Sequence, residues 1–126
     1  MKVVVRISTA FQKQAKPLLK KFASLSDELK RLADNLSENP YLGKEIMPSV
    51  YKIRLAIKSK GKGKRGGARV ISFHQKEAHV IGIFEKNKDE HTVILISIYD
   101  KSVTENITDN EIRRLIQNID FEGYKN

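Results

Sequence analysis

Apolar side chains recur along this chain in two rhythms, a short one that marks strands and a longer one that marks helices. Residues 2–7, KVVVRI, are dense in valine and isoleucine and predict a strand. From there Phe11, Ala15, Leu18, Leu19 and Phe22 fall at helical spacing, with Ser8 or Thr9 in place to cap the N-terminus. Pro17 lies inside that pattern and is expected to kink the helix, or to mark where an irregular first turn gives way to a regular one. Ser24 and Ser26 interrupt the pattern, and Asp27 and Glu28 stand where a helix favours acids in its first turn. A second apolar stripe follows at Leu25, Leu29, Leu32, Ala33 and Leu36, and Asn39-Pro40 stops it. Two amphipathic helices with so short a break predict a helical hairpin.

After a loop expected at 40–48 the period shortens again. Val50, Ile53, Leu55 and Ile57 predict a strand that carries Lys52, Arg54 and Lys58 mostly on its other face. The glycine-rich stretch 59–67 is a turn too long for a tight hairpin, and it leads to a strand at 68–75. Another strand is expected at 79–86, then a turn at NKDEH, then TVILISIYD at 92–100, the most apolar and therefore expected to be central. Thr108 and Glu111 form a capping box ahead of a last helix with Ile112, Leu115, Ile116 and Ile119 on one face. There is no internal repeat and no boundary, so residues 1–126 are expected to form a single domain. Consecutive strands with short turns pair antiparallel, which gives an α+β layer arrangement with helices on one face of the sheet. The opposite face, or its rim, is left for the basic side chains.

Composition narrows the class. A chain of 126 residues buries roughly two thirds of its unfolded surface and needs no staple. It has no cysteine, which rules out disulfides, zinc–thiolate sites and cysteine nucleophiles. No run of about 18 apolar residues exists to span a membrane, and the run at MKVVVRIST is too short for a signal sequence, so a cytoplasmic protein is expected. The net charge is +9, and the eight basic residues from Lys52 to Arg69, with no acid among them, leave the remainder at +1. Charge that is local asks for a local polyanion.

The candidate chemistry follows from that cluster. GKGKRGG lacks the phosphate-loop pattern and leads into a strand, so no helix N-terminus is there to hold a nucleotide. Lysine and arginine on regular strands suit the phosphates of a nucleic acid better. Alternation places Lys52 and Arg54 on one face, and Arg69 joins them if 52–57 and 68–73 pair. The turn residues Lys58, Lys60, Lys62, Lys64 and Arg65 fit general electrostatic attraction to RNA. His74, His79 and His91 have spacings of 5 and 12, which match no metal motif. They make a ribonuclease-like pair only if the turns bring two of them together. Glu77, Glu85, Asp89 and Glu90 lie in expected turns and form no metal-nuclease pair. No metal and no cofactor is expected.

The succession YKIRL, a basic glycine-rich turn, GGARVI, then IYDKS and ENITDNEI resembles the RelE/HigB-like toxins of bacterial type II toxin–antitoxin modules. The resemblance covers most of the chain and is closest to the HigB-like branch. It implies a RelE-like fold: a small antiparallel sheet with a mixed edge, an N-terminal two-helix hairpin on one face and a short C-terminal helix. It also implies a metal-independent endoribonuclease that cuts mRNA on the translating ribosome. Its partners would be ribosome, mRNA and a cognate antitoxin, often of the helix-turn-helix type, and no membrane. The positions that match the family's catalytic set are Lys52, Arg54, Arg69, Tyr99 and Lys101, and Lys62, Lys64 and Arg65 match its basic turn. Two other readings stand beside this one. ParE-like relatives share the fold and poison DNA gyrase, and a noncatalytic RNA- or DNA-binding module needs only the basic patch.

Overall fold

The computed structural model describes residues 2–61, 63, 66–75, 90–104 and 106–119. Strand β1 (Lys2–Ile7) leads into helices α1 (Thr9–Lys21) and α2 (Leu25–Glu38). Four more strands follow, β2 (Lys44–Met47), β3 (Val50–Leu55), β4 (Ala68–Gln75) and β5 (Glu90–Asp100), and then helix α3 (Asp109–Gln117). The strand expected at 79–86 lies outside the described residues, as do His79 and the first three residues of the NKDEH turn.

Local signals explain most of these boundaries. The Ser8 hydroxyl accepts from the Phe11 N–H at 3.1 Å and starts α1, which continues through Pro17 to Lys21. Thr108 and Glu111 make the reciprocal capping box that starts α3. Residues 44–47, expected within a loop, instead form the short edge strand β2 against Val50–Lys52. Gly43 makes this possible: its φ is +94°, and a Cβ there would sit 2.5 Å from the Lys52 carbonyl oxygen.

The sheet order is β1-β5-β4-β3-β2, antiparallel throughout except for β1, which runs parallel to β5 along one edge. The apolar strand β5 is therefore flanked on both sides. Val93, Leu95 and Ile98 of β5 pack with Val70, Ile53 and the buried stripes of α1 and α2, including Phe11, Leu25, Leu32 and Leu36. Ile94 and Ile96 pack on the other side with Ile71, Val50 and Ile112 of α3. The helices thus divide between the two faces rather than sharing one. The basic strand residues do not own a free face; they share theirs with α3 and a second apolar cluster.

One irregularity sets the position of a key side chain. Ile71 lies opposite Ser97 but Ser72 lies opposite Leu95, so Ile96 is an extra residue in β5. Strict alternation from Val93 and Leu95 would send Tyr99 toward α1 and α2. The bulge shifts the phase, so Ile98 takes that side and Tyr99 joins Ile94 and Ile96. Gln14 of α1 holds the bulge, its Oε1 accepting from the Ile98 N–H at 2.9 Å and the Ser97 hydroxyl at 2.8 Å. Gln14→Ala is expected to cost about 1–3 kcal/mol in urea denaturation, because it strips both donors of their acceptor. Gln14→Glu, which keeps an acceptor, should recover most of that. A loss within about 0.5 kcal/mol, typical of ordinary surface changes, would remove Gln14 from this role.

Candidate nucleic-acid interface

Three strands bring the predicted site residues into one line. Arg54 of β3 lies directly opposite Arg69 of β4, and Arg69 lies opposite Tyr99 of β5. Side chains opposite one another in a ladder stand about 5 Å apart at Cβ, and like charges so placed are destabilising. The two facing arginines therefore repel each other across the ladder. Lys52, one alternation away on β3, faces the same side. Lys101 follows directly after β5, and its backbone N–H donates to the Gly67 carbonyl at 3.0 Å. Gly67 is required there, since a Cβ would collide with the Leu55 carbonyl oxygen.

The electrostatics follow from this crowding. The pKa of Lys52 is lowered, first by burial and then by Lys101, Arg69, Lys44 and Arg54. Its ammonium donates to Asn106 Oδ1 at 3.3 Å. Arg69 is buried, with Nη1 donating to the Ala68 carbonyl at 3.1 Å. Burial and Arg54 lower the pKa of Arg69, and Tyr99 opposes them. Tyr99 is 9% exposed, and its hydroxyl makes no hydrogen bond among the described residues. Burial raises its pKa while Arg69 pulls it down, with a net upward shift, so the phenol keeps its proton at neutral pH. Tyr99 also borders a cleft of about 480 Å³ together with Asn106 and Lys21.

The basic turn divides. Lys58 is exposed and its backbone N–H donates to Glu28 Oε2 at 2.6 Å. Lys60 is turned inward: its ammonium pairs with Asp100 and Ser102 and lies 5.6 Å from the centre of the Phe22 ring. Asp100 is thus engaged by Lys60. Burial raises the Asp100 pKa, but hydrogen bonds from Lys60 and Ser102 outweigh it and hold the carboxyl below its ordinary value. Lys62, Lys64 and Arg65 lie outside the described residues.

A second cluster was only partly legible in the sequence. His74 at the end of β4 and His91 near the start of β5 do meet, with Nδ1 of His74 2.7 Å from Nε2 of His91. They bond directly to each other, so no phosphate oxygen lies between them as it would between an acid and a base flanking a scissile bond. The Tyr41 ring stacks on His74 at 4.9 Å and 5°, and Tyr51 closes against both. Burial and His91 lower the His74 pKa to about 4, while Glu45 and the Pro40 carbonyl push it up. Nothing in the spacing of Tyr41, Tyr51 or Asn106 points to these contacts; they arise where separate elements meet. Among the described residues no three histidine or carboxylate side chains gather to hold a metal ion, and no helix is long and apolar enough to cross a membrane. No protein-family model matches the chain, and no curated protein matches it significantly.

Proposed function

We propose that the chain is the toxin of a type II toxin–antitoxin module, a RelE/HigB-like, metal-independent endoribonuclease that cuts mRNA on the ribosome in the cytoplasm. The observation that carries this reading is the line Arg54–Arg69–Tyr99 across three adjacent strands, with Lys52 and Lys101 close enough to depress the lysine's pKa. RNA supplies its own nucleophile, the 2′-hydroxyl. The lowered pKa of Lys52 enlarges its neutral fraction, and in that form the amine accepts the 2′-hydroxyl proton as the oxygen attacks phosphorus. Arg54, Arg69 and Lys101 neutralise the charge that builds on the phosphoryl oxygens. Tyr99 is protonated, and its hydroxyl is buried without a hydrogen bond among the described residues, so it gives its proton to the departing 5′-oxygen once RNA binding uncovers it. The P–O5′ bond breaks, leaving a 2′,3′-cyclic phosphate and a 5′-hydroxyl. Exposed Lys58, with Lys62, Lys64 and Arg65 of the basic turn, holds RNA beside the reacting phosphate, while Lys60 stays with Asp100. The cognate antitoxin would act by covering this surface with acidic side chains or by holding a helix away from its ribosome-bound position.

The test is induction of the protein in cells without its neighbouring gene, followed by mapping of mRNA 5′ ends. New in-frame ends are expected together with growth arrest. Arg69→Ala is expected to reduce those ends about 100-fold, the loss of one preorganised charge-stabilising donor. Arrest without new ends would instead favour a ParE-like gyrase inhibitor. Binding of RNA with neither effect would leave a noncatalytic nucleic-acid-binding module.

A further inference from the structure

Beside the reaction site, the edge of the sheet opens into a groove of about 910 Å³ between α2 and β3. Strand β2 pairs with β3 only at Val50–Lys52, so the groove runs where that edge is left uncovered by β2. Its floor is apolar, with Leu32, Leu42 and Leu55, and its rim carries Arg31, Lys44 and Lys58 in addition to Lys52 and Arg54 of the site. The acid in its lining is already engaged: Glu28 is buried and accepts from the Ser24 hydroxyl and the Lys58 N–H. Tyr41 stands next in the chain to Leu42 of the lining and packs on Tyr51, the neighbour of Lys52 on β3. This tyrosine is 51% exposed, and its ring is backed by His74 in parallel stacking and flanked by Tyr51 and His91. A ring supported from behind and open in front is a preformed stacking surface.

We infer that this groove binds a single strand of RNA, with phosphates at Arg31, Lys44 and Lys58 and an unpaired base stacked on Tyr41. A cationic track combined with an exposed aromatic ring is how proteins hold single strands without reading sequence. An apolar floor suits base faces, and among the described residues Glu28 is the one acid in the lining; Glu45, which acts on Tyr51 and His74 under Tyr41, disfavours a phosphate at that end and leaves it to a base. The inference rests on the RNA reading above and adds the path of the strand as it leaves the reacting phosphate. The groove reaches Lys52 and Arg54, so the same strand continues from one to the other.

The experiment uses the purified full chain and an unstructured 2′-O-methyl oligonucleotide, which has no free 2′-hydroxyl and cannot be cut by this chemistry. An abasic oligonucleotide of equal length serves as a base-free polyanion. Tyr41→Ala is expected to weaken the base-bearing strand by about 5- to 100-fold and to leave the abasic one unchanged. Tyr41→Phe should bind as the parent does, and a thermal melt of each variant shows whether the His74 contact survives. The pair Arg31→Gln and Lys44→Gln should weaken both strands and flatten the salt dependence. Equal binding of the base-bearing strand by Tyr41→Ala and the parent overturns the proposal, as does an equal loss for both strands. Displacement of RNA-independent label by an acidic peptide, with no RNA binding, overturns it in favour of a protein partner. Loss of mRNA ends in Arg69→Ala with normal binding by Tyr41→Ala would sink the groove and keep the nuclease. Tyr41-dependent binding with no mRNA ends would do the reverse.

Discussion

Tyr99→Phe is expected to lower RNA cleavage by about 10²–10⁴-fold while leaving the fold as stable as before, or more so. Most active-site changes that remove a buried polar atom also remove a hydrogen bond. Here the hydroxyl is buried and makes no hydrogen bond among the described residues, so none of those residues compensates its desolvation. Deleting it removes an unmet cost of about 1–3 kcal/mol and keeps the ring that packs with Ile94, Ile96 and Ile112. The proton it supplies in the reaction is lost at the same time. Single-turnover cleavage on programmed ribosomes measures the first effect, and urea denaturation measures the second. Opposite signs in the two measurements mark a residue kept for chemistry. A variant with parental cleavage would return Tyr99 to an ordinary sheet tyrosine, and one that unfolds easily would reveal a hydrogen bond formed in solution. Arg69→Ala makes a poorer probe, because it also empties a buried position opposite Arg54.

Stability is expected to fall by about 3 kcal/mol as pH drops from about 6.5 to about 4, from His74 alone. The sign follows from proton counting. The unfolded histidine takes up a proton near its ordinary value of 6.5, but the folded one resists until about 4 because it is buried and meets His91. Between those values the unfolded state binds more protons, so acid favours unfolding. Above the window the contribution is complete, and below it the loss is complete. Glu45 is the acid that acts on His74, and it offsets burial only in part. The His91 pKa is also lowered by burial, which adds to the loss in the same direction. Urea denaturation across this range in parent and His74→Phe separates the histidine from carboxylates that titrate lower. Phenylalanine keeps a ring under Tyr41 and cannot be protonated. The variant should show a flatter profile between pH 6.5 and 4, and an unchanged slope would place the titration elsewhere.

Periodicity along the chain determined where the three helices and β1, β3, β4 and β5 form, though not the four-residue β2, because side-chain spacing reports which face is buried whatever the element packs against. Short-range chemistry determined the caps at Ser8 and Thr108, since donor and acceptor are only three residues apart. The clustering of positive charge on adjacent strands was legible for the same reason, and so was the facing of Arg54 and Arg69 once the hairpin was assumed. What joins distant segments was decided only by tertiary structure. β1 lies parallel to β5 rather than beside its neighbours in sequence, and α3 covers the face that the pattern alone left open. Lys60 belongs to Asp100 through packing of the turn on β5, although its neighbours in sequence suggested a solvent-facing basic loop. Tyr99 is the clearest case. A period of two assigns it to the α1–α2 side, and one extra residue at Ile96, held by Gln14 on another element, turns it to the basic side. A single inserted residue inverts every later position in a strand, and nothing within the strand itself records whether a partner will accept it.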